Sequence, residues 1–107
     1  MPRKPRPVRK VANVRVRLIG VFRNLAGTDS LQVEIQGGRT VAQVVEKLID
    51  RVRRTEFEAA IVDRELNDPT PNTLIIVNDK DISALNGLKT QLEDNDEIVL
   101  IPISHGG

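Results

Sequence analysis

The groups best placed to do chemistry stand at the end of the chain, in Ser104-His105-Gly106-Gly107, where a carboxylate follows two residues without side chains. Glycine lacks a Cβ, so such a segment lies extended in a channel too narrow for other residues. The expectation is that Gly107 is the reacting terminus and that Gly106, His105 and Ser104 are threaded or recognised by a partner enzyme. Taken alone, the two glycines fit ordinary terminal fraying equally well. His105 is the one histidine. It reads as a recognition element, because acid–base work needs an orienting neighbour that a tail does not supply.

Elsewhere the residue types argue against an independent enzyme. The chain has no cysteine, which excludes a thiol nucleophile, a thiolate metal site and a disulfide framework. No paired carboxylates, metal cluster or nucleophile–base arrangement is apparent. Glu93-Asp94-Asn95-Asp96-Glu97 lacks the glycine and distal glutamate of a calcium loop and reads as a solvated turn. Gly37-Gly38 belongs to a turn without the residues of a phosphate loop. The expectation is a protein that is not itself an enzyme, with no bound cofactor and no metal.

At 107 residues, with 39% apolar residues and Phe22 and Phe57 as the two aromatics, the chain specifies one domain with an aliphatic core. No apolar run reaches membrane-spanning length, so a cytoplasmic protein without membrane contact is expected. Net charge is +1, unevenly placed. Arg3, Lys4, Arg6, Arg9 and Lys10 precede a remainder with eleven bases against fifteen acids. With Pro2, Pro5 and Pro7 interleaved, residues 1–12 read as a disordered basic tail. A solubilising arm is the simpler role, and contact with RNA the alternative.

The elements that must position the terminus are legible from their periods. Val14-Arg15-Val16-Arg17-Leu18 and Leu31-Gln32-Val33-Glu34-Ile35 alternate apolar and polar residues, as two antiparallel strands with one buried face. Order is expected from Asn13, and residues 21–29 read as a long connector that packs Phe22 and Leu25 on the core. Thr40 and Gln43 have capping-box spacing ahead of an apolar stripe at Val41, Val44, Val45, Leu48, Ile49 and Val52, the main helix. Residues 55–72 read as an insertion whose shape the periodicity leaves open. Leu74-Ile75-Ile76-Val77 is a strand covered on both faces or nearly so, followed by a turn at Asn78–Asp81. Ile82–Leu85 is the candidate short fourth strand before Asn86-Gly87. The last strand places Ile98, Leu100 and Pro102 on one face and Val99, Ile101 and Ile103 on the other, and this whole run is the candidate partner-facing strand. One of its faces meets the helix. The other is covered by residues 55–72 or by a partner.

The resulting order is strand, strand, helix, strand, short strand, strand. It implies an α+β β-grasp, a mixed four- to five-stranded sheet wrapped on one main helix, over residues 13–103, with residues 104–107 as a flexible tail. This order, with the terminal Gly-Gly, resembles the ubiquitin-like sulfur carriers and modifiers. Val14–Leu18 through Phe22-Arg23-Asn24-Leu25-Ala26-Gly27 is similar to the small subunit of molybdopterin synthase. Leu74–Asp79, Leu85, Gly87-Leu88, Gln91-Leu92, Asp94, Asp96 and His105-Gly106-Gly107 are similar to the ubiquitin-related modifier that also carries sulfur to transfer RNA.

The resemblance implies that an E1-like partner uses ATP to adenylate Gly107, since a carboxylate is a poor electrophile. A persulfide-bearing donor enzyme then converts the terminus to a thiocarboxylate for a recipient enzyme. The same activated carbonyl can form an isopeptide bond with a lysine of a target protein, Lys4, Lys10, Lys47, Lys80 and Lys89 of the chain itself included. The alternatives are a molybdopterin synthase small subunit and a β-grasp binding module with an RNA-contacting tail.

Overall fold

The computed structural model describes residues 11–36 and 38–103. Its first strand, β1 (Val11–Leu18), keeps a strict alternation that buries Ala12, Val14, Val16 and Leu18. The strand begins two residues ahead of the expected Asn13, because Ala12 continues the buried row and faces Ile35 across the ladder. The remainder of the basic tail lies outside the described residues.

The connector after β1 is in part helical. Helix α1 (Val21–Ala26) turns Phe22 into the core at 1% exposure and ends at Gly27, whose left-handed backbone lets its N–H donate to the Arg23 carbonyl. Strand β2 (Ser30–Gln36) then pairs antiparallel with β1 along its length. Helix α2 (Val41–Val52) opens with the anticipated capping box. The Gln43 N–H donates to Thr40 Oγ1, and the Thr40 N–H donates to Gln43 Oε1 at 2.8 Å. Val41, Val44, Val45 and Leu48 are buried, and Ile49 and Val52 pack partly against the core.

Residues 55–72 resolve into helix α3 (Thr55–Ile61), with Phe57 and Ile61 fully buried, and a turn-rich return closed by mutual backbone hydrogen bonds between Asp63 and Asp68. Thr73 Oγ1 donates to the Ile61 carbonyl at 3.0 Å, which fastens the end of α3 to the inward face of the next strand. The segment therefore adds to the core on the helix side and does not cover the opposite face of the sheet.

Strand β3 (Thr73–Val77) buries Thr73, Ile75 and Val77, while Leu74 and Ile76 stay half-buried, so one of its faces is less covered than its apolar sequence implied. Asn78 and Asp79 both have positive φ, the geometry of a two-residue hairpin turn. The short strand is consequently β4 (Lys80–Asp81), and Ile82–Ala84 is a single 3-10 turn in place of the expected strand. Its N-terminus is capped by Asp81 Oδ1, which accepts the Ser83 N–H. Gly87, at φ +58, takes the left-handed conformation anticipated for Asn86-Gly87.

Strand β5 (Glu97–Pro102) enters between β1 and β3, parallel to the first and antiparallel to the second. The sheet order is β2-β1-β5-β3-β4, with the helices on one side. This is an α+β fold of β-grasp topology.

Candidate functional site

Strand β5 joins the centre of the sheet to the C-terminal tail. It is hydrogen-bonded on both sides, and the last tie is the Ile103 N–H donating to the Asn72 carbonyl at 3.0 Å. The direction of the chain at its exit is thus set as far as Ile103. Ser104, His105, Gly106 and Gly107 lie outside the described residues.

Alternation divides the candidate partner-facing strand. Ile98 and Leu100 are 0% and 1% exposed inside the core, which removes them from any docking surface. Pro102, on the same parity, is half-buried against Gly20. Val99 and Ile101 are half-buried on the outer face, and Ile103 beyond the strand is 39% exposed. The ladder sets Ile76 beside Val99 and Leu74 beside Ile101. Ile19, 38% exposed, continues β1 by donating its N–H to the Leu100 carbonyl at 3.2 Å. These residues make an apolar half of the outer sheet face next to the tail exit, built from strand residues whose alternate partners are locked in the core.

The other half is cationic and polar. Arg17 lies beside Val99 and Arg15 beside Glu97 in the β1–β5 register, with Ser30 and Gln32 across the β1–β2 ladder. Arg15, Arg17 and Arg23 of α1 line one shallow groove with Leu18, Ile19, Asp29 and Ser30. Arg17 Nη1 is 3.9 Å from Glu97 Oε1, and no carboxylate of the described residues pairs with Arg15 or Arg23. The period-two pattern of Val14–Leu18 did announce both β1 arginines. Their union with Ile19 and Arg23 depends on strand register and on α1, which no local pattern discloses.

Two of the acids of residues 93–97 serve the turn. Asp94 Oδ1 accepts the Asn13 N–H at 2.7 Å, and Asp96 accepts from the Asn78 amide and the Glu93 N–H. Among the described residues no group of His, Asp and Glu could hold a metal ion. No helix among them is long and apolar enough to cross a membrane.

A β-grasp sheet whose central last strand leads out to a terminal Gly-Gly defines a ubiquitin-like protein of the sulfur carrier and modifier superfamily. The ThiS family model matches residues 16–107, and the chain belongs to that family. The small archaeal modifier protein 1 of Methanosarcina acetivorans is 29% identical, covering 92% of this chain and 99% of its own, with a TM-score of 0.77. Urm1 of Trypanosoma brucei is 25% identical over 91% of this chain and 97% of its own, with a TM-score of 0.72. A chain of the Amycolatopsis orientalis BexX/CysO complex is 26% identical, covering 88% of this chain and 99% of its own, with a TM-score of 0.64. No curated protein matches the sequence.

Proposed function

We propose that the protein is a ubiquitin-like sulfur carrier whose Gly107 is adenylated by an E1-like enzyme and converted to a thiocarboxylate for the thiolation of transfer RNA. The observation that carries this reading is the delivery of the tail by the doubly paired β5 beside a half-apolar sheet face, together with a family match that runs through Gly107.

The terminal carboxylate attacks the α-phosphorus of ATP and expels pyrophosphate, leaving an acyl-adenylate. The terminal sulfur of a partner's cysteine persulfide then attacks the carbonyl and releases AMP, which forms an acyl disulfide. A second partner thiolate attacks the Sγ of the cysteine that bore the persulfide and breaks its S–S bond, so the carrier leaves as a thiocarboxylate and the partner as a disulfide. The carrier contributes no cysteine to any step. ATP is consumed by the activating enzyme and is not a ligand of this chain. The protein is a co-substrate, and its side chains supply docking through Val99, Ile101, Ile103, Leu74, Ile76 and Ile19.

The likeness to a small archaeal modifier supports a second fate, in which a lysine amine attacks the acyl-adenylate or a thioester derived from it and forms an isopeptide bond. The likeness to Urm1, with the motifs at Leu74–Asp79 and His105–Gly107, favours transfer RNA over molybdopterin as the sulfur's destination. The test is ATP–pyrophosphate exchange by the E1-like enzyme of the same organism. Full-length carrier supports exchange, and a chain ending at Gly106 folds normally without supporting it. Equal exchange by the truncated chain would contradict the proposal.

A further inference from the structure

The arginine half of the outer face is not accounted for by delivery of a tail. We propose that Arg15, Arg17 and Arg23 form a docking surface for a carboxylate-rich patch on the activating partner. This inference rests on the function proposed above.

Residues 11–107 carry eleven bases against fifteen acids, so three arginines around one groove run against the net charge of the body. Several other cations are committed to main-chain carbonyls: Lys47 to Glu34, Arg51 to Gln32 and Arg54 to Leu25. Arg15 and Arg23 have no such tie among the described residues, and Arg17 keeps a long, half-exposed contact with Glu97. An exposed pair of this kind contributes little and is readily exchanged for a better partner. Guanidinium groups suit that exchange, because they are weakly hydrated and take carboxylates in bidentate geometry.

A protein fits this surface better than a nucleic acid does. The arginines adjoin Val99 and Ile19, and a mixed arginine and aliphatic surface is what protein interfaces use. Phe22 and Phe57 are both buried, so the described residues offer no aromatic platform for a base. The apolar half would supply contact area, while the cationic half would set orientation and the rate of encounter. Charges at the rim of such a contact act mainly on association and on its salt dependence.

The discriminating experiment measures adenylation by the E1-like enzyme against carrier concentration at several salt concentrations. It compares the wild type with R15E/R17E/R23E and with E46K/D50K, whose exposed acids lie on α2. The arginine variant should raise KM for the carrier roughly tenfold or more with kcat unchanged, and should lose the rise of KM with salt seen in the wild type. E46K/D50K should leave KM unchanged. Equal KM and equal salt dependence in the wild type and the arginine variant overturn this inference alone. A wild type that is not adenylated overturns the proposed function and this inference with it. Competition by bulk transfer RNA that disappears in R15E/R17E/R23E overturns it in favour of a nucleic-acid surface.

Discussion

Gly20 sits where β1 ends and the tail-bearing β5 leaves the sheet, with φ +59 and ψ −130. A Cβ at this position would lie 3.3 Å from Pro102 Cγ, so both the backbone and the space beside the exit ask for glycine. Gly20→Ala is expected to cost about 1–3 kcal/mol of stability, through a strained backbone and a displaced Pro102. Urea unfolding checks this, and a change below a few tenths of a kcal/mol would show that the junction relaxes freely. Thr40→Ala removes one half of the capping box and is expected to cost about 1 kcal/mol in the same measurement. Leu48→Ala empties a fully buried site at the centre of α2 and should cost about 2–5 kcal/mol.

At the scale of elements, α2 protects the free edge of the sheet. Lys47 and Arg51 are one helical turn apart, and their side chains donate to the Glu34 and Gln32 carbonyls of β2, which is an edge strand. The spacings match, because four helical residues and two strand residues advance about equally far along their axes. An edge whose carbonyls are taken by cations is a poor template for another strand. K47A/R51A should therefore keep its fold yet self-associate with rising concentration, as read by sedimentation equilibrium. A variant that stays monomeric at every concentration would show that the edge is protected by other means.

The elements differ in how much of them the sequence disclosed. The α2 stripe and capping box, and the alternation in β1, could be read because each is a local pattern repeated over several turns or pairs. The α1 and α3 segments could not. Each is a helix of six or seven residues, below the length at which a period declares itself, and each is held by one or two buried residues, Phe22 or Phe57 with Ile61. The turn at Asn78-Asp79 was visible as punctuation, but the return of Lys80 and Asp81 onto β3 depends on pairing, which moved the short strand forward from residues 82–85. Of the candidate site, Gly106-Gly107 stands out by residue type but lies outside the described residues. Its surface was only half legible, because the burial of Ile98 and Leu100 and the joining of Arg23 to Arg15 and Arg17 depend on register and on α1.

Across the whole molecule, one sheet holds its helices on one side and leaves a two-part face on the other, apolar toward the chain exit and cationic toward β2. On the proposed function, that face does the docking and the terminus the chemistry, so binding and chemistry can be varied independently. Changing Val99 and Ile101 to Asp should raise KM in adenylation with little loss of stability, because both are half-buried and outward, while the same change at Leu100 should unfold the domain. Circular dichroism alongside the exchange assay separates the two outcomes, and equal unfolding by all three changes would place the outer face inside the core.

On the proposed function, Gly107 carries sulfur. The most direct measurement is the intact mass of the full-length chain after incubation with its activating enzyme, ATP and a persulfide donor, followed by fragmentation of the C-terminal peptide. One oxygen is expected to be replaced by sulfur, with the change confined to Gly107 and lost when ATP is left out. An unchanged terminal carboxylate in the presence of a competent activating enzyme and donor would contradict the proposed function.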